Sequence, residues 1–146
     1  MTALDPISLD RLSDTTLMML RVLTGAFLIY GTLDNVFSGE RMQEFIVFLT
    51  LHGFPWPRLM APLSVYAQFL GGVLLVFGLL TRWAGVVVAI NFAVAVVMVH
   101  WEQDFRSWWP AIVLVFLGLH FAARGGGRLA LDALLWPEAA VRRELR

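Results

Sequence analysis

The chain has 146 residues, 59% of them hydrophobic and 15% charged, with a mean hydropathy of +0.74. Soluble domains average roughly 45–50% apolar and about 25% charged residues, so this composition excludes an ordinary soluble domain, a disordered chain and a nucleic-acid module. All eleven Lys-plus-Arg positions are Arg, eleven Asp plus Glu balance them, and Cys is absent, which removes disulfides, thiolate metal sites and thiol redox chemistry.

The length allows one domain, 1–146. A transmembrane helix needs about 20 apolar residues, range roughly 17–25, and four stretches qualify, at 16–37, 59–80, 83–101 and 107–123. No alternating ten-residue strands suggest a barrel. The expectation is therefore an all-α integral membrane four-helix bundle. Residues 1–14 carry three Asp and one Arg, and no small-residue cleavage site follows the first apolar run, so the first span is expected to stay as an anchor.

Between spans one and two, residues 40–51 (ERMQEFIVFLTL) set Met42, Phe45, Ile46, Phe48 and Leu49 largely on one side, the pattern of an interfacial amphipathic helix. His52-Gly53-Phe54-Pro55-Trp56-Pro57 breaks it, and Pro62 suits the first turn of span two. Only Thr81-Arg82 separates spans two and three, which requires a tight antiparallel turn. After span four, Arg124-Gly125-Gly126-Gly127-Arg128 ends the helix. It lacks the Lys-Ser/Thr ending of a phosphate loop. The segment 128–146 reads as a surface helix over 129–135, stopped by Trp136-Pro137, and an Arg-rich tail.

Four spans place both termini on one side, with Arg11, Arg82, Arg124, Arg128, Arg142, Arg143 and Arg146. The other side holds Arg41, Arg58 and Arg106, offset by Glu40, Glu44, Glu102 and Asp104. Positive charge favours the cytoplasm, so cytoplasmic termini are expected. For packing, span two displays Ser64, Gln68, Gly71, Gly72, Leu75 and Gly78 as a stripe. Span three displays Ala89, Ala93, Val96 and His100. Small residues let helices approach in lipid, and the two stripes predict a close pair between spans two and three.

Polar groups at bilayer depth are the candidate functional residues. Tyr30 and Asp34 share a face of span one, Gln68 lies on the stripe of span two, and His100 ends span three. This outer-half group, with Trp101 and Trp108 nearby, suits the headgroup of a quinone or similar lipid, and His100 could supply a proton. Asn91 reads as a structural hydrogen-bonding group. An inner-side cluster, Arg21, His120 and Asp132, is the second candidate, with Arg21 pairing with Asp132 to clamp the tail onto the bundle. The histidines have no second His or Cys at i+3 or i+4, so no metal site is expected.

Four segments in order carry a resemblance to the DoxX family. They are Leu20-Arg21 with Gly25, Phe27 and Tyr30-Gly31; Gly53-Phe54-Pro55 with Pro57; Gln68-Phe69-Leu70-Gly71-Gly72 through Phe77-Gly78-Leu79-Leu80-Thr81-Arg82-Trp83-Ala84; and Gly125-Gly126-Gly127-Arg128-Leu129-Ala130-Leu131-Asp132. The resemblance implies a multi-pass bacterial inner-membrane protein associated with membrane oxidoreductase systems. Tyr30 stands where the family commonly has His, and Gln68 where an acid is common. Gln cannot titrate.

Two readings follow. One is a small subunit that binds a quinone or lipid-like ligand, without a covalent cofactor, and supports a membrane or peripheral oxidoreductase partner. The alternative is a non-enzymatic scaffold or assembly factor whose polar residues hold the bundle together. Membrane lipids are expected partners, a homo-oligomer is compatible with either reading, and nucleic acid is not expected.

Overall fold

The computed structural model describes residues 6–101 and 103–136. The helices are α1 (Pro6–Phe37), α2 (Gly39–Leu51), α3 (Pro57–Phe77), α4 (Thr81–Ala95), α5 (Phe105–Arg124) and α6 (Leu131–Leu135). A π-helical turn, Val96–His100, continues α4. Four candidate spans, Leu9–Phe37, Pro57–Phe77, Thr81–Val99 and Phe105–Arg124, are long and apolar enough to cross a membrane. No strand occurs among the described residues. The expected surface helix falls on α6, while the tail 137–146 lies outside the described residues.

The helix ends follow local chemistry. Ser38 caps α2 by accepting from the Arg41 N–H, and Asp104 caps α5 by accepting from Ser107. The α3 helix opens at Pro57, where the missing N–H would be unpartnered anyway. Pro62 therefore sits inside α3 rather than in its first turn, a correction to the sequence reading. Gly78, at φ 69°, closes α3 in the left-handed region, so the turn to α4 is built from 78–80 and Thr81 already belongs to the helix. The α2 helix lies on α3 and α1 through buried Leu49 and half-buried Met42, Phe45 and Ile46. Phe48 instead stacks between Phe45 and His52.

The tightest seams are α1 with α3 and α4 with α5, and the α3–α4 seam joins them. Glycine permits each close approach. A Cβ on Gly72 would stand 2.8 Å from the Gly25 carbonyl oxygen, and one on Gly25 would stand 2.8 Å from Val76 Cγ2. In the second pair, a Cβ on Gly85 would meet the Gly118 oxygen at 2.6 Å, and one on Gly118 would meet the Gly85 oxygen at 2.7 Å. The expected glycine-mediated pairing of spans two and three is thus corrected. Gly72 faces span one, and only Gly71 faces α4, with a Cβ there reaching Val88 at 3.3 Å. Gly85 is followed four residues on by Ala89, and Gly118 by Ala122, so each helix of the second seam offers a small-xxx-small surface.

Between them the seams bury a core of Leu17, Leu28, Leu75, Ala84, Val88, Leu114 and Phe121. Most other large apolar side chains point outward, among them Leu23, Leu70, Ile90 and Phe116, the distribution that suits lipid rather than water. The first and last spans, α1 and α5, do not pack on each other to any extent. A cleft remains between them.

Candidate functional site

At the α6 end of the bundle the segment after α5 folds back over α1, α3 and α4. Arg21, 2% exposed, donates from Nη2 to the Leu129 carbonyl at 3.1 Å. A Cβ on Gly78 would overlap its guanidinium, and one on Gly126 would come within 3.1 Å of Nη1. Only glycine leaves room for the cation at these two positions. Among the described residues, the Nε and Nη1 groups of Arg21, and the Thr81 hydroxyl, have no hydrogen-bond partner.

Asp132 does not form the expected ion pair with Arg21. Its two carboxylate oxygens accept from the Leu80 N–H at 2.7 Å and the Thr81 N–H at 2.9 Å. Its own N–H donates to Gly78 at 2.9 Å. Leu80 is the N-cap of α4 in a left-handed conformation, with no side-chain cap of its own, so Asp132 supplies the missing acceptor from 52 residues away. It still lies close enough to act on Arg21 electrostatically. The segment around Asp132 and the bundle are clamped, but through backbone N–H groups of the α3–α4 turn. Asp14 adds a weaker tie to Arg128, at 3.5 Å from its N–H and 3.8 Å from Nε.

This fold-back encloses a cavity of 480 Å³ whose wall carries Asp10, Asp14 and Asp132 together with Arg82, Arg124 and Arg128. Trp83 and Trp136 flank it. Sequence reasoning missed the set. Its members come from four separate segments, and the one available signal was the concentration of Arg and Asp at this end of the chain.

His120, the third member of the inner-side cluster, stands apart. It is exposed, lies edge-on to Phe121 at 6.0 Å, and faces the α1–α5 cleft. That cleft has a volume of 530 Å³ and runs along α5 past Phe105, Trp108, Ile112, Phe116 and His120, with Leu20 from α1 opposite. Phe105 meets Trp108 edge-on at 5.2 Å and Trp109 at 5.3 Å, which builds an aromatic end. At the other end stands His120, the one titratable side chain on the wall among the described residues.

The outer-half candidates are distributed differently. Tyr30, 82% exposed, and Asp34 stand on the outward side of α1, whereas buried Leu28 and Thr32 mark its packed side. Gln68 instead donates to Ser64 at 3.1 Å, and the Ser64 hydroxyl donates to Asn91 at 2.8 Å. This polar string ties α3 to α4. No hydrogen bond joins Tyr30 or Asp34 to Gln68 among the described residues. The side chain of His100 lies outside the described residues. The π-helical winding of 96–100 also breaks the 3.6-residue period by which the sequence reading set it beside Ala89 and Ala93. No group of three His, Cys, Asp or Glu able to hold a metal occurs among the described residues.

Four apolar helices with lipid-facing exteriors define a multi-pass membrane protein. The DoxX family profile matches residues 16–101, and the chain belongs to the DoxX family. A Bacillus subtilis (strain 168) protein named "Putative oxidoreductase CatD" is 33% identical over 121 residues, covering 82% of this chain and 86% of that relative. No solved structure matches the chain.

Proposed function

We propose that this protein is a small membrane subunit that holds an isoprenoid quinone, or a lipid of like shape, in the α1–α5 cleft and supports a membrane oxidoreductase partner. The observation that carries the reading is the cleft wall, apolar and aromatic along α5, with His120 its one titratable side chain among the described residues. Ligand sites of this kind join an apolar surface to a few placed polar groups. A quinone headgroup would accept from or donate to the His120 imidazole, while its isoprenoid tail would lie along Phe116, Ile112 and Trp108. The chain has no Cys, so the quinone would supply the redox chemistry and a partner the second carrier. The name of the Bacillus relative agrees with that role. The Arg excess at the α6 end supports placing that end in the cytoplasm of a bacterial inner membrane.

The scaffold reading keeps one observation in its favour, because Gln68 and Asn91 are occupied by the Ser64 string that holds α3 to α4. Solvent extraction of the purified protein separates the two. The quinone reading expects extractable quinone in a fixed ratio to protein, reduced several-fold in His120→Leu. The scaffold reading expects phospholipid alone, unchanged by that substitution.

A further inference from the structure

The cavity at the α6 end is separate from the α1–α5 cleft and shares no wall residue with it. Its chemistry is unusual for a site at the end of membrane spans, because carboxylates and guanidiniums face the same space. The charges are not all spent on one another. Asp132 is committed to the Leu80 and Thr81 N–H groups, and Asp14 is tied to Arg128. Asp10, on the first turns of α1, faces the cavity without a hydrogen bond or ion pair among the described residues. Arg82, also on the cavity wall, donates from one guanidinium nitrogen to the Ala122 carbonyl at 3.3 Å, its one hydrogen bond among the described residues. Below the wall at Gly126 lies the Arg21 guanidinium, 2% exposed, with two nitrogens lacking partners among the described residues. A buried cation of that kind adds positive potential to the cavity beside Gly126.

The rim fixes the depth. Trp83, at the start of α4, is 70% exposed, and Trp136, after α6, is 50% exposed. Tryptophan on the end of a span sits at headgroup level. The cavity therefore opens where phospholipid headgroups lie, and a volume of 480 Å³ is within the range of about 300–1,000 Å³ typical of small-ligand sites.

We propose that this cavity binds the headgroup of a phospholipid carrying both a primary ammonium and a phosphodiester, the phosphatidylethanolamine type. The ammonium donates to the Asp10 carboxylate, and the phosphate accepts from Arg82 within the field of Arg21. Walls of both signs disfavour a purely anionic head, which would face Asp10 and Asp14, and a quaternary ammonium offers Asp10 no N–H. The site is independent of the quinone reading.

The test is native mass spectrometry of the full-length, delipidated protein. It is titrated with phosphatidylethanolamine, phosphatidylcholine or phosphatidylglycerol of identical acyl chains, and separately with water-soluble phosphoethanolamine. One phosphatidylethanolamine is expected to bind about tenfold more tightly than either other lipid, equivalent to about 1.4 kcal/mol. Asp10→Asn, a near-isosteric change on an exposed turn, should erase that preference. Arg82→Gln should weaken phosphatidylethanolamine and phosphatidylglycerol together, with helix content by circular dichroism unchanged. Binding of free phosphoethanolamine at the lipid's affinity would assign the site to a soluble zwitterion and overturn the lipid as occupant. Equal binding of the three lipids, or a preference that survives Asp10→Asn, would overturn the proposal. Because His120 lies outside this cavity, His120→Leu should leave the preference intact, which keeps a failure here distinct from a failure of the quinone reading.

Discussion

A guanidinium buried to 2% exposure is costly unless its surroundings compensate, and around Arg21 the compensation is assembled from three directions. The Leu129 carbonyl accepts one N–H, Asp132 supplies field, and Gly78 and Gly126 supply space. Gly78→Ala meets two penalties at once, a positive φ and an overlap with the cation. It should cost about 2–3 kcal/mol, read as a lower unfolding temperature in detergent. Asp132→Ala removes both acceptors from the start of α4. Loss of a helix cap costs about 0.5–2 kcal/mol, so Asp132→Ala should destabilise by that order, and Asp132→Asn, with one carbonyl oxygen left, by about half. Equal stability of Asp132→Ala and the parent would show that water caps α4 as well as the carboxylate does. The importance of Arg21 and Asp132 was legible in the sequence, because ionisable groups at span ends stand out. Their partners were not. A carboxylate that caps a helix 51 residues before it leaves no local pattern to read.

At the scale of elements, the length of the apolar runs found every span, and the differences lie at the ends. The α1 helix begins at Pro6, ten residues before the apolar run at 16, because Asp10, Arg11 and Asp14 can stay helical outside the hydrocarbon. The stripe on α3 was visible, but its partner was misassigned. Gly71 and Gly72 are adjacent and point about 100° apart on the 3.6-residue period, so one faces α4 and the other α1. A stripe of small residues states that something comes close without saying which helix does. Gly72→Leu should therefore open the α1–α3 seam, where Gly25, Leu28 and Ile29 lie against it, and cost about 3 kcal/mol. Gly118→Leu should do the same to α4–α5, whereas Leu70→Ala, on an outward position, should change unfolding in detergent little.

For the molecule as a whole, the row of seams α1–α3–α4–α5 leaves the first and last spans apart, and this opening is what a sequence pattern could not show. His120 looked like a member of the Arg21 cluster when only its distance from the helix end was known. The rotation of α5 turns it instead to the cleft, in line with Phe116 and Trp108. Occupancy of this cleft by a quinone-type ligand can be read with a photoactivatable short-chain quinone, cross-linked to the protein in native-like bilayers and mapped by peptide mass spectrometry. Adducts are expected on the α5 face from Phe105 to His120 and near Leu20 on α1, suppressed by excess unlabelled quinone and reduced in His120→Leu. Adducts confined to other faces of the bundle, or labelling that unlabelled quinone does not suppress, would contradict it.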